Sequence, residues 1–141
     1  MPSGGPRIDL VDTQRPLYVV AIHGVPTDEQ FQGYLDWMVE VAGRGPHAMV
    51  IDATHSGMVS ARQRKMQAQW MEEHEELNRR TTAAMSFVLP NPLLRGLLTA
   101  ILWLQPMPCP FSVVSTRARG VRYCEARLRE RGLIAAESVN G

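Results

Sequence analysis

Four side chains suited to acid–base work occur at two places in the chain: His23, and Asp52, His55 and Ser56 in the run Asp52-Ala53-Thr54-His55-Ser56-Gly57. A neutral imidazole is basic near pH 7 and a carboxylate can orient it, which makes His23, Asp52 and His55 the candidate set for a small hydrolase or transferase. The surrounding spacing does not extend that chemistry. No GxSxG elbow accompanies Ser56, and no HxH, HExxH or Cys/His tetrad marks a metal site. Glycine loops of the GxGxxG or Walker type are missing too, so no nucleotide cofactor is expected. Cys109 and Cys124 lack ligand spacing and read as buried small hydrophobes.

Three further stretches carry binding chemistry rather than catalysis. Between Thr54 and Lys65 a helix starts at Ser60, with Arg62, Arg64 and Lys65 in its first turn. Free backbone N–H groups attract anions there, and bases oppose the helix dipole in a way an anion could relieve. Thr54, His55, Ser56, Ser60, Arg62 and Arg64 are therefore the candidates for a phosphate, carboxylate or phosphoprotein. The segment Pro92–Leu104 has leucines at 93, 94, 97, 98, 102 and 104 with Ile101 and Trp103, a wider apolar arc than one sheet face requires. Leu94, Leu98, Leu102 and Trp103 are the candidates for a dimer, partner or lipid-like contact, the alternative being that the last helix or the segment Gln105–Pro110 folds over this arc. The last helix holds six arginines between Arg117 and Arg131, but Tyr123 is its only aromatic. It reads as a solvated face, with no nucleic acid bound.

The elements that must position these residues follow from pattern and punctuation. Ile8–Val11 is a short strand joined through Gln14-Arg15-Pro16 to Leu17–His23, an apolar, β-branched run typical of a strand covered on both faces. Thr27-Asp28-Glu29-Gln30 is a capping box, and Phe31, Tyr34, Leu35, Met38 and Val41 share one face of the helix it opens. Ala48–Ile51 is a second buried strand. Ser60-Ala61-Arg62-Gln63 is a second capping box, opening one long helix with Met66, Trp70, His74 and Leu77 inward. Glu75/Arg79 and Glu76/Arg80 stand at i,i+4 on it. Ala83–Leu89 is a strand, Asn91-Pro92 opens the leucine-rich helix, Phe111–Val114 is the last strand, and Thr116 to about Arg131 the last helix. Helices alternating with buried strands build a mainly parallel sheet. The expectation is a single-domain α/β fold: about five strands, an N-terminal hairpin, four helices, and ligand-binding positions on the rim of strand C-terminal ends.

This succession, with the stretches MVIDATHSGMVSARQR and LPNPLLRGLLTAILWL, resembles the STAS family over residues 8–131. That family includes anti-sigma-factor antagonists and the cytoplasmic ends of sulfate transporters; its SpoIIAA-like relatives resemble small CRAL-TRIO lipid-binding domains. The family's phosphorylatable serine sits in an Asp-Ser-Ser-Gly-like motif at the matching helix start. Ser60-Ala61-Arg62 has no Asp before it and no Gly after it, and Ser56-Gly57 is the nearest fragment. The resemblance thus implies a binding scaffold, not the antagonist activity.

Size and charge agree with that. A globule of 141 residues buries roughly 68–70% of its unfolded surface around one core. Fifteen basic against fourteen acidic residues give a charge of +1, with no general attraction to nucleic acid or acidic membranes. Met1–Pro6 lacks a signal-peptide layout, and Leu93–Leu104 is too short to span a bilayer. The reading is a cytoplasmic, non-enzymatic module: a flexible terminus at 1–6, a domain at 7–133 and a flexible tail at 134–141. It engages a partner protein, or itself as a homodimeric adaptor, or a small anionic or lipid-like ligand.

Overall fold

The computed structural model describes residues 5–104 and 106–135. Residues 1–4 and 136–141, most of the two expected flexible ends, lie outside the described residues. Strand β1 (Arg7–Gln14) pairs antiparallel with β2 (Leu17–Gly24). Then follow α1 (Asp28–Gly43), β3 (His47–Ser56), α2 (Ala61–Glu73), α3 (Glu75–Thr81), β4 (Thr82–Val88), α4 (Pro92–Leu104), β5 (Phe111–Val114) and α5 (Arg117–Glu130). The sheet order is β1-β2-β3-β4-β5, with β2 through β5 parallel. The C-terminal ends of the parallel strands line one rim, as expected.

Alternation along the strands sorts the apolar residues into two layers. Tyr18, Val20 and Ile22 of β2, with Met49 and Ile51 of β3, pack under the α1 face formed by Phe31, Tyr34, Leu35, Met38 and Val41. Leu17, Ala48, Val50, Ala84 and Val88 point the other way, onto Cys124 and Leu128 of α5. Gly120 of α5 approaches the sheet so closely that an added Cβ would lie 3.1 Å from Ser86 Oγ and 3.2 Å from Val50 Cγ1.

Several local expectations change. Strand β1 is longer than Ile8–Val11, because its pairing with β2 runs through to Gln14↔Leu17. Strand β3 does not end at Ile51 but runs to Ser56, so Thr54, His55 and Ser56 lie on a strand and not in a loop. Its last residues pair with His23 and Gly24 beyond a register slip after Ala21, giving backbone groups partners they would otherwise lack. The long helix expected from Ser60 is two, so the helices described number five rather than four. His74 breaks it with φ −112°: its ring stacks on Trp70 at 4.7 Å, and its Nδ1 lies 2.9 Å from the Trp70 carbonyl. The turn shifts the helical phase, so that Asn78 is buried while Leu77 is only half-buried. Arg79 rather than Arg80 then meets Glu76, at 3.1 Å, as well as Glu75.

The capping boxes also differ. Thr27 and Gln30 satisfy each other's backbone N–H groups in full. Ser60 accepts from the Gln63 N–H at 3.0 Å, but the Gln63 side chain turns away, its Nε2 donating to the Pro26 carbonyl and to Asp28 Oδ1. Gln63 is 2% exposed there, which makes it a tie between α2 and the start of α1 instead of a cap.

Candidate functional site

At the rim, the register slip in β3 decides which groups meet. His23 and His55 stand opposite each other and stack, ring centroids 5.6 Å apart and 13° from parallel. His23 Nε2 lies 3.1 Å from Asp9 Oδ2, with Arg7 Nη2 at 3.5 Å. Asp52 does not join them. It accepts from the Thr54 N–H and hydroxyl on Oδ1, and from Arg117 Nε at 2.8 Å on Oδ2. Burial pushes its carboxyl up, but the bonds from Thr54 and Arg117 together outweigh burial and hold it below the ordinary carboxylate value. The expected His–Asp pairing is therefore replaced by two separate clusters. Asp52 with Arg117 clamps the first turn of α5 to the sheet, while the stacked histidines face β1. Arg7 and Asp9 were missed, although their alternate positions on a strand opposite His23 are the sequence signal for them. Ser56 Oγ donates to the Gly57 carbonyl.

Of the three bases at the start of α2, Arg62 has an acidic partner. Arg62 Nε lies 3.3 Å from Asp28 Oδ2, and Arg64 Nη1 donates to the Val59 carbonyl at 2.8 Å. Asp28, in the first turn of α1, supplies the acid that this helix start lacks. Arg62 and Arg64 remain with Ser60 at one corner of the rim, Arg62 paired with a carboxylate and Arg64 with a backbone carbonyl.

Helix α4 divides its apolar residues three ways. Leu98, Ile101 and Leu102 face the sheet across a cavity of about 160 Å³, whose other walls include Met49, Met85, Phe87 and Trp70. Leu94 and Leu97 line a smaller, mostly open pocket of about 130 Å³ beside Ser56 and Gly57. Trp103 is 84% exposed and Leu93 64%. Of the four residues expected at an interface, Trp103 alone is fully exposed; Leu94, Leu98 and Leu102 are half-buried because α4 stands off the sheet and they bridge the gap. Leu93 was not singled out, since its proximity to the helix start concealed its exposure.

On the opposite face a groove of about 560 Å³ runs between the β1–β2 hairpin and α5, lined by Val11, Leu17, Val19, Val121, Arg117 and Arg122 among others. Among the described residues no cluster of three His, Cys, Asp or Glu side chains could hold a metal. No helix of the described residues is long and apolar enough to cross a membrane. Burial pushes the thiols of Cys109 and Cys124 up to about 12, far from a reactive thiolate, and both are free. On α5, Arg127 pairs with Glu130 and lies over the Tyr123 ring, in keeping with a solvated arginine face.

Neither a family model nor a curated protein matches the chain. Solved structures do. An uncharacterised protein of the DUF3478 family with a SpoIIAA-like fold, from Shewanella loihica PV-4, superposes with a TM-score of 0.64 at 13% identity, covering 88% of this chain and 98% of its own. An anti-sigma factor antagonist from Mycobacterium paratuberculosis superposes with a TM-score of 0.55 at 14% identity, covering 88% and 97%. With its antiparallel first strand, four parallel strands and helix-capped rim, the chain has a STAS/SpoIIAA-like fold.

Proposed function

We propose that the protein is a non-catalytic regulatory module of the cytoplasm that acts by binding a protein partner through the outer row of α4. The observation that carries this reading is the pair of large apolar side chains at the two ends of that row, Trp103 at 84% and Leu93 at 64% exposure. At 100° per residue, Gly96 and Ala100 fall between them on the same exposed arc. Small residues flanked by large ones form a saddle into which an apolar helix or strand of a partner can settle closely. The likeness in fold to an anti-sigma factor antagonist lends the regulatory part of the reading its support. The acid–base alternative at His23, Asp52 and His55 draws less support, because Asp52 is held by Thr54 and Arg117 and meets neither imidazole. A small anion at Ser60, Arg62 and Arg64 is likewise disfavoured by the pairing of Arg62 with Asp28.

The test is cross-linking of the tagged full chain in its own cells, followed by reconstitution with the purified protein recovered. Trp103→Glu should abolish the recovered contact, and Glu72→Lys, on the exposed side of α2, should keep it. Recovery that is indifferent to Trp103→Glu and to Leu93→Glu refutes the reading. Light scattering distinguishes a second copy of the chain, which would appear as a doubled mass lost in the same variants.

A further inference from the structure

We propose that the cavity between α4 and the sheet is a binding site for a small, neutral, mostly apolar molecule carrying one hydrogen-bond acceptor. Its volume, about 160 Å³, is that of cavities known to take up benzene, which sets the ligand at on the order of six to ten non-hydrogen atoms. Five of its wall residues are methionines, from α1, α2, β3, β4 and the segment before β5, and flexible thioethers adapt to irregular apolar guests.

The acceptor follows from Trp70. This residue is 7% exposed, lines the cavity, and its indole N–H is buried with no partner among the described residues. Buried donors are nearly always satisfied, so an orphan donor in a cavity wall points to an acceptor on the guest. His74, stacked on the indole, holds the ring in place. Neutrality follows from the lining. Among the described residues no Lys, Arg, Asp or Glu borders the space. The one imidazole there, His47, is held neutral by burial, with its Nδ1 3.0 Å from the Gly45 carbonyl. A carboxylate or phosphate would lose its hydration with no countercharge to replace it. Entry is past α4, whose backbone makes only sparse close approaches to the other described elements.

Acetophenone is a suitable probe, titrated into the full chain with its indole nitrogens labelled and followed by NMR, with Trp70→Phe identifying the signal. The expected result is a saturable shift of the Trp70 N–H signal with Trp103 unmoved. Leu102→Phe, or Met71→Phe should the first fail to fold, fills the space and should remove the saturable shift. Benzoate should bind at least about tenfold more weakly than acetophenone. Trp70→Phe should weaken acetophenone about two- to tenfold and leave ethylbenzene unchanged, read on the methionine methyl signals. No saturable shift at Trp70, an unchanged response in the filled variants, a response confined to Trp103, or benzoate binding as tightly as acetophenone overturns the proposal. None of these outcomes depends on the partner surface, since Trp103→Glu leaves the cavity walls intact.

Discussion

Glycine to alanine at two helical positions should move stability in opposite directions. Gly33 lies on the open side of α1 with no atom within 4 Å of an added Cβ, and Gly120 of α5 lies against β3 and β4. In a helix interior the change from Gly to Ala is worth about 0.8–1 kcal/mol from propensity alone, so Gly33→Ala should stabilise by nearly that much. At Gly120 the same gain is opposed by contacts at 3.1 Å to Ser86 Oγ, 3.2 Å to Val50 Cγ1 and 3.4 Å to Val88 Cγ2. None of the three can yield readily. Val50 and Val88 are fully buried, and Ser86 is held by its hydrogen bond to Ser112 at 2.9 Å. Overpacking of this kind costs about 1–3 kcal/mol, which outweighs the propensity gain, and Gly120→Ala should lose up to about 2 kcal/mol net. Urea unfolding of both variants measures the difference directly; in melting temperature, each kcal/mol is about 3–5 °C for a domain of this length. Equal stabilisation by both substitutions would refute the close seating of α5 on the sheet, and with it the placement of Arg117 against Asp52.

Two further outcomes concern charge. Arg117→Met removes the guanidinium from Asp52, and because Arg117 is half-exposed the loss should be about 1 kcal/mol, below the roughly 1.5–3 kcal/mol of a hydrogen bond to a charged group. Asp52 lies below its ordinary value in the fold, so this difference from wild type should be fully present near pH 7 and shrink as pH falls through the carboxylate range near 4; a difference that persists unchanged at pH 3 would count against the clamp. His47 is lowered by burial, so the unfolded chain binds its proton first and stability should fall as pH drops below about 6.5. Denaturant midpoints between pH 7.5 and 5.0 should therefore decline less in His47→Gln than in wild type, and parallel declines would refute this.

Where local signals and tertiary needs agree, the fold was legible. The α1 stripe and its capping box were read residue by residue, since both depend only on spacing within one helix. The mainly parallel sheet followed from the alternation of helices and buried runs. What escaped was set by partners distant in the chain. Gln63 has the right spacing for a cap, yet it is claimed by Pro26 and Asp28, 35 or more residues earlier. Asp52 has the right type to orient a histidine, yet Arg117, 65 residues later, reaches it. The pairing of β3 with the end of β2 turned an expected loop into strand, and only that register places His55 on His23.

The leucine-rich helix shows a different kind of limit, because its composition was read correctly and the geometry still had two solutions. An apolar arc wider than one sheet face needs leaves its surplus either at the surface or under another segment of the chain. A helix lying flat on the sheet would bury Leu94, Leu98 and Leu102 fully, since at 100° per residue they lie about 100–180° around the helix from Trp103. Helix α4 instead stands off, its backbone making only sparse close approaches to the other described elements. Leu98 and Leu102 thereby line a cavity and Leu94 and Leu97 a second, more open pocket, while among the described side chains of α4 Leu93 and Trp103 are the large apolar ones left outward. The width of an apolar arc thus measures how far a helix is lifted as much as how much of it is bare. Lifting has its own consequence: the space beneath must be filled by side chains, remain empty, or admit a guest. Five methionines and an unpartnered indole N–H are the wall chemistry of the third case.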